Sequence, residues 1–288
     1  MVAALRRVRA AASQPPRGDG FGLLQPPGAF LPGFAGKPTL VAEIDRLGGA
    51  SISSVNLEGW QGPAAWPYAA SDFAREDERD DALKYAAPNL VTHVDAPALA
   101  ALTATYGALF RSYDASSAAP LRLFDVGASW RSHYPQQLPN GTRVSLAGLN
   151  AAELAANPAA TEPSVVLDLN GGGGSAAVRL PYATATFDFV TCAASVAYLA
   201  RPREAFAELH RVLKPGGVAV VSFSNRCFAE KATRLWLDHM DEEVALCSVV
   251  RNYFYFGPRG GWAHVSSADI SPHPSQGDPM WIVTAVKA

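Results

Sequence analysis

Cysteine is scarce in this sequence. The 288 residues include three cysteines, Cys192, Cys227 and Cys247, and no two of them form a C-x-x-C pair. An odd number of cysteines without this spacing argues against a disulfide framework and against a structural zinc site. We therefore predict no metal centre, and we expect a reducing, intracellular compartment.

Charge and long apolar runs are scarce as well. Charged residues make up 17% of the chain, apolar residues make up 49%, and the formal net charge is −2. This composition rules out disorder of the whole chain. Because no block of lysine and arginine stands out, we expect a small-molecule substrate and no nucleic-acid partner. No stretch reaches the roughly 18 apolar residues that a membrane-spanning helix needs, so a soluble protein is expected.

The N-terminal region differs in composition from the rest. Residues 1–17 contain four arginines and no acidic residue, which is typical of a transit peptide for a plastid or mitochondrion. The alternative is a disordered tail or an imperfect gene start, with a cytoplasmic protein. Residues 18–67 are rich in glycine and proline and predict an irregular arm. We therefore divide the chain into an N-terminal extension, residues 1–70, and a globular domain, residues 71–288, whose charged cluster at 72–81 is expected to be a solvated surface.

From Asp95 onward, apolar runs alternate with helical patterns. Asp95 is a good N-cap for a first helix, and Pro202 and Pro215 delimit a well-marked helix over 202–214. Strands without polar alternation are typical of a parallel sheet that is covered on both faces. The predicted strands are 121–126, 143–147, 165–168, 187–192 and 218–223, with a short helix over 150–157.

The C-terminal part predicts a change of strand direction. Helical patterns over 229–240 and 242–256 are followed by predicted strands at 263–270 and 280–286. The loop between these strands is shorter than the dozen or so residues that a parallel crossover needs, so the two strands are expected to form an antiparallel hairpin. The predicted fold is α/β, with a doubly wound, mostly parallel sheet that ends in this hairpin.

Several segments resemble a known family. The chain reads LPY at 180–182, FDFVTC at 187–192 and RVLKPGG at 211–217. These segments resemble the corresponding sequences of the class I S-adenosylmethionine-dependent methyltransferases of the type 11 group. The SWxSHxP motif at 129–135 and the FSNRxF motif at 223–228 are similar to a poorly characterised subfamily, and the whole resemblance covers roughly residues 72 to 288.

The resemblance implies a seven-stranded Rossmann-like methyltransferase sheet that binds S-adenosylmethionine. In such folds the ligand lies beyond the carboxyl ends of the strands, where the strand order reverses. By position, Asp125 would receive the amino group of the cofactor, Asn150 would face the ribose, and Asp168 would accept from the adenine amine. The implied cofactor-binding residues are Asp125, Gly127, Ala128, Ser129, Asn150, Asp168, Leu169, Asn170, Ala193 and Ser195.

Two departures from the family pattern leave a second interpretation open. Residues 127–131 read GASWR where the family has Gly-x-Gly-x-Gly, and Asn150 stands where a carboxylate is usual. Glu153 either compensates for the missing carboxylate or completes a helix capping box with Asn150. The first hypothesis is methyl transfer to a small molecule. The alternative is a catalytically degenerate scaffold that acts as a binding or regulatory module.

Methyl transfer from a sulfonium requires no nucleophile on the protein, because an in-line displacement is accelerated largely by proximity and orientation. If the acceptor must lose a proton, His133 and Tyr134 are the catalytic candidates, although both side chains also suit loop-supporting roles. Asn225 and Arg226 are the substrate-side candidates, and Arg226 alternatively pairs with an acid. The sequence does not distinguish O-, N- and C-methylation.

Rival enzyme classes lack their signatures. The G-x-S-x-G elbow of a hydrolase fails at Arg131, and the G-x-G-x-x-G of a nicotinamide-binding fold is absent. The glycine run at 171–174 is followed by no predicted helix, so we interpret it as an insertion and not as a phosphate cradle.

Overall fold

The computed structural model describes residues 43, 46, 63–112, 119–171, 178–258, 261–272 and 277–288. The predicted transit peptide, most of the predicted irregular arm and most of the glycine run lie outside the described residues. Among the helices of the described part, none has the length and apolar character needed to cross a membrane.

Seven strands form one sheet in the order β3-β2-β1-β4-β5-β7-β6. The pairs among β3, β2, β1, β4 and β5 are parallel, whereas β7 pairs antiparallel with both β5 and β6. The predicted α/β fold, a mostly parallel sheet with a C-terminal antiparallel hairpin, is therefore confirmed. The strands are β1 Arg122–Val126, β2 Arg143–Gly148, β3 Val165–Val166, β4 Phe187–Ala193, β5 Leu213–Phe223, β6 Trp262–Asp269 and β7 Trp281–Lys287.

The helices follow the predicted order, but the helix predicted over 202–214 ends at Val212, because Leu213 and Lys214 already belong to β5. The pattern over 229–240 predicts a longer helix than the observed Arg234–His239, which begins where the Thr233 side chain accepts a hydrogen bond from Trp236 N. The α-helices described after residue 62 are α1 Asp81–Lys84, α2 Ala96–Ser112, α3 Ala151–Ala156, α4 Pro202–Val212, α5 Arg234–His239 and α6 Glu243–Phe256.

Each face of the sheet has its own apolar core. On β1, Leu123 packs into the cluster that contains α2, and its neighbour Phe124 packs into the cluster that contains α4 and α6. Neighbouring side chains of a strand point to opposite faces, so a strand that is covered twice must be apolar at successive positions. The unbroken apolar runs of the sequence follow from this double burial.

The connection from β1 to β2 contains no helix. Residues 127–142 run irregularly and place Tyr134 on the α2 face of the sheet. The ring centroid of Tyr134 lies 5.5 Å from that of Tyr106 and 5.3 Å from that of Phe110. Aromatic packing therefore holds this loop where a crossover helix usually lies.

The same loop passes directly over the end of β2. Ala128 N donates to Ala147 O at 2.8 Å. A Cβ atom built on Gly148 would lie 2.0 Å from Ala128 O. Since a side chain and a backbone oxygen cannot share this space, glycine is required at position 148.

The segment before α2 is held by a buried ionic cluster. Lys231 is fully buried, and its Nζ lies 3.0 Å from Asp81 Oδ1 and 2.6 Å from Arg79 O. Arg75 Nη1 pairs with the same carboxylate at 2.8 Å. The prediction of a solvated surface over 72–81 is therefore wrong for Arg75 and Asp81, because the approach of Lys231 removes these side chains from water.

Replacement of Gly148 should destabilise the fold. We expect Gly148→Ala to lower the free energy of unfolding by about 2–3 kcal/mol or more, because the new Cβ meets backbone and not a movable side chain. Gly216→Ala is the control: Gly216 has a φ of +72°, and a Cβ atom added there would meet no other atom within 4 Å, so only left-handed strain of about 1 kcal/mol is expected. Denaturant unfolding measures both, and equal losses would contradict the close approach.

Loss of the buried cation should loosen the N-terminal segment. Lys231→Met leaves the Asp81 carboxylate with less compensation, and we expect a loss of about 3–5 kcal/mol of stability. Faster proteolysis between residues 63 and 94 should accompany it. The exposed Arg234, which lies 3.5 Å from Asp238, gives the control Arg234→Met, for which little change is expected. Identical behaviour of the two variants would refute a stabilising cluster.

Candidate functional site

The strand order reverses between β1 and β4, and the loops that follow these strands touch at this point. Ser195 Oγ donates to Gly127 O at 2.9 Å and alternatively to Ala193 O at 3.0 Å. Gly127 has a φ of +68°, and a Cβ there would lie 2.7 Å from Ser195 Cβ and 4.0 Å from Leu169 Cδ1. The structure thus brings Gly127, Leu169, Ala193 and Ser195 together, as the sequence predicts for one edge of one sheet.

Asn150 caps α3 and has no unused hydrogen-bonding position. Its Oδ1 accepts from Ala152 N at 2.9 Å and Glu153 N at 3.1 Å. Its Nδ2 donates to Tyr85 O at 2.8 Å and to Ala86 O at 3.2 Å. An amide offers two donors and two acceptor lone pairs. All four are engaged, so a ribose would have to displace one of these partners.

Glu153 is buried beside Asn150 but does not complete a capping box. Oε1 accepts from Asn89 N at 2.7 Å, and Oε2 accepts from Ser129 Oγ at 2.6 Å. A capping box needs this carboxylate on the backbone N–H of Asn150. In the described part of the chain its hydrogen bonds go instead to the loop after β1 and to the segment before α2.

We call residues 82–94 the strap. In addition to the contacts with Asn150 and Glu153, the strap receives a hydrogen bond from Trp130 Nε1 to Val91 O at 3.1 Å. The His93 ring lies 4.9 Å from the Phe228 ring. The strap therefore connects the loops that follow β1, β2 and β5. Sequence reasoning missed it because the strap contributes mostly backbone atoms to these hydrogen bonds, and backbone atoms leave no residue pattern.

Asp168 and Asn170 follow β3 at the same edge. Asp168 Oδ1 accepts from Asn170 N at 2.7 Å. The Asn170 amide donates to Asp81 Oδ2 at 2.8 Å and to Tyr198 O at 3.0 Å, and it accepts from Ala200 N at 2.8 Å. Asn170 thus joins three segments of the chain, whereas the carboxylate of Asp168 remains partly exposed beside them.

Asp125 lies in a buried polar network on the α2 face. It is 2% exposed. Thr191 Oγ1 donates to Asp125 Oδ1 at 3.0 Å, and the Tyr134 hydroxyl lies 2.6 Å from the same Thr191 oxygen. Burial raises the pKa of Asp125 to about 7, against the opposing effect of hydrogen bonds from Ser132 and Thr191. A contact between Asp125 and a cofactor stays a prediction.

The two catalytic candidates differ in their environment. His133 has a left-handed backbone with a φ of 57°, and burial lowers its pKa to about 4. Its imidazole is therefore neutral near pH 7. Burial raises the pKa of Tyr134 well above its usual value, so this phenol keeps its proton. Catalytic roles for both residues stay predictions.

Arg226 pairs with an acid in this structure. Its Nη2 and Nε lie 2.6 Å and 2.8 Å from Asp278 Oδ1. Asp278 and Asp95 in turn exchange backbone-to-carboxylate hydrogen bonds of 2.8 Å and 2.9 Å. The pair ties the loop after β5 to the start of α2, with Asn225 partly exposed beside it. Substrate-side roles for Asn225 and Arg226 stay predictions.

Residues 141–221 match the family model for the type 11 methyltransferase domain. This segment of the chain is therefore similar to a methyltransferase domain. The matched segment runs from the start of β2 almost to the end of β5, and so it includes Asn150, Asp168 and Ser195. The match agrees with the predicted resemblance to type 11 methyltransferases over this segment, and binding of S-adenosylmethionine stays a prediction.

Two examples illustrate the solved structures that are similar to the chain. One is the CurJ carbon methyltransferase, with 14% identity and a TM-score of 0.46 over 66% of this chain and 54% of that one. The other is Haemonchus contortus phosphoethanolamine N-methyltransferase 2 with phosphomonomethylethanolamine and S-adenosylhomocysteine, with 13% identity and a TM-score of 0.43 over 62% of this chain and 51% of that one. The chain thus spans about half the length of each structure. A search of curated proteins gave no match.

The buried carboxyl of Asp125 should make the stability of the fold depend on pH. Its pKa rises from 3.8 to about 7 on folding, so between these values only the folded state holds the proton. The contribution of this carboxyl to stability is then complete below pH 3.8 and falls as the pH rises towards 7. Relative to Asp125→Asn, the wild type should lose about 1.4 kcal/mol per pH unit from pH 5 to 7.

Denaturant unfolding at pH 5, 6, 7 and 8 measures this difference. Thr103→Ser, at a residue whose hydroxyl donates to Leu99 O of its own helix at 3.0 Å, is the control and should follow the wild-type profile. Parallel curves for the wild type and Asp125→Asn would show that the Asp125 carboxyl does not titrate in this range.

Proposed function

We propose that this protein transfers a methyl group from S-adenosylmethionine to a small-molecule acceptor. The meeting of Gly127, Leu169 and Ser195 where the strand order reverses carries this proposal. In open α/β sheets, ligands bind at this switch point, beyond the carboxyl ends of the strands. A formal net charge of −2 without a basic block supports a small acceptor over a nucleic acid.

The residues at this edge fit the cofactor. Ribose hydroxyls and amino groups are hydrogen-bond donors, and carboxylates accept such bonds strongly. Asp168 follows β3, and Glu153 lies beside the turn at Gly127, where an added Cβ would collide with Ser195. Asp168 would hold the adenine amine, and the backbone at Ala193 and Ser195 would flank the methionine portion. When bound, S-adenosylmethionine supplies an electrophilic methyl group.

In this reaction the protein mainly positions the acceptor and excludes water. The strap closes over the loops after β1 and β2 through Tyr85, Asn89 and Val91. If the acceptor must lose a proton, the neutral imidazole of His133 takes it. The pairing of Arg226 with Asp278 fixes the loop after β5, which borders the acceptor side.

A binding scaffold without turnover is the second candidate. The observation in its favour is that the Asn150 side chain uses all its hydrogen bonds on α3 and the strap. The GASWR turn at 127–131 also departs from the glycine-rich turn that gives the cofactor backbone access. A scaffold of this kind would bind a nucleoside ligand and transfer nothing.

Titration calorimetry with S-adenosylhomocysteine tests the first proposal. We expect the wild type to bind, and Asp168→Ala to bind about tenfold more weakly, because a charge-assisted hydrogen bond worth about 1.5–3 kcal/mol is lost. The control Asp238→Ala, at an exposed residue of α5, should bind as the wild type does. A folded wild type that binds no S-adenosylhomocysteine would contradict the proposal. Binding without transfer of labelled methyl groups into a metabolite extract would identify the scaffold.

A further inference from the structure

Asn150 and Glu153 differ in how many hydrogen-bonding positions on each side chain remain unused. Asn150 has used both donors and both lone pairs. Each oxygen of Glu153 accepts one hydrogen bond, from Asn89 N or from Ser129 Oγ. A carboxylate offers about four lone-pair positions. Among the described residues, one acceptor position on each Glu153 oxygen therefore has no hydrogen-bond donor.

The position of Glu153 is suited to a ligand at the switch point. Glu153 is 8% exposed, and Ser129, to which it bonds, is two residues beyond Gly127. Its two partners are a neutral hydroxyl and a neutral amide. A buried carboxylate is costly unless its oxygens are well satisfied, so two further donors would stabilise it.

The chemistry of a ribose matches these open positions. Its 2′ and 3′ hydroxyls are adjacent donors, and one carboxylate accepts from both. The two bonds would be charge-assisted, which makes them stronger than bonds to an amide oxygen. A neutral asparagine whose oxygen already receives two backbone N–H groups offers neither the charge nor the free lone pairs.

We propose that Glu153, and not Asn150, is the residue that binds the ribose hydroxyls of the cofactor. This inference rests on the proposed function, because it assumes a bound S-adenosylmethionine. The ribose carboxylate has moved from the end of β2 into the first turn of α3. Asn150 has become a positioning residue that caps α3 and fastens the strap. Because Asn89 bonds the same carboxylate, ribose binding and strap closure share one group.

Calorimetry with matched ligands tests the assignment. The probes are S-adenosylhomocysteine and its 2′-deoxy and 3′-deoxy analogues, and the variant is Glu153→Gln, which keeps the size of the side chain. The wild type should prefer S-adenosylhomocysteine to either analogue by about tenfold, and Glu153→Gln should lose most of this preference. Glu162→Gln, at a carboxylate 3.1 Å from Arg143 at the start of β2, is the control and should keep the wild-type preference.

The outcomes separate this inference from the proposed function. If the folded wild type fails to bind S-adenosylhomocysteine, both are overturned. If the wild type binds and Glu153→Gln weakens all three ligands equally, Glu153 only supports the loop and the strap, and this inference alone is overturned. Should Glu153→Gln fail to fold, Glu153→Asp is the second variant, because its shorter side chain keeps the charge but moves it away from the ribose. Loss of the preference for S-adenosylhomocysteine over its deoxy analogues then supports the assignment, and equal weakening of all three ligands overturns it.

Discussion

Ala128 lies so close to the end of β2 that only glycine fits at position 148. This contact draws the irregular connection after β1 across the sheet edge and places Ser129 beside Glu153. It also leaves Gly127 facing Ser195 from the loop after β4. The Ala128 oxygen belongs to the backbone just after β1 and cannot be displaced without moving the loop, so this steric constraint fixes the relative positions of the groups at the candidate site.

The strap depends on this arrangement. Its backbone atoms bond to Asn150, Glu153 and Trp130, all of which follow β1 or β2. The buried pair of Lys231 and Asp81 holds the segment just before it. Polar contacts that lie away from water are costly to break one at a time, because each leaves an unpaired partner. The strap, the loops and the ionic cluster therefore stabilise one another.

Two chemical environments meet at the sheet edge. On the α2 face, Asp125 lies among hydroxyl groups, and burial raises its pKa to about 7. At the switch point, Glu153 and Asp168 are bonded mainly to donors of the loops. The first environment favours the neutral form of the Asp125 carboxyl, whereas the second supplies the hydrogen-bond acceptors that we propose for a ligand.

Apolar runs and helix end signals in the sequence determined the order of strands along the chain, the helix over Pro202–Val212 and the C-terminal hairpin, because these depend on neighbours in the chain. The motifs indicated the similarity to methyltransferases that the match over residues 141–221 supports, and with it the sheet edge that we propose as the cofactor site. The partners of Asn150 and Glu153, the burial of Asp81 and the pairing of Arg226 with Asp278 were decided by tertiary structure alone. Each of these depends on atoms from distant segments, often backbone atoms, whose approach follows from packing and leaves no pattern in the sequence.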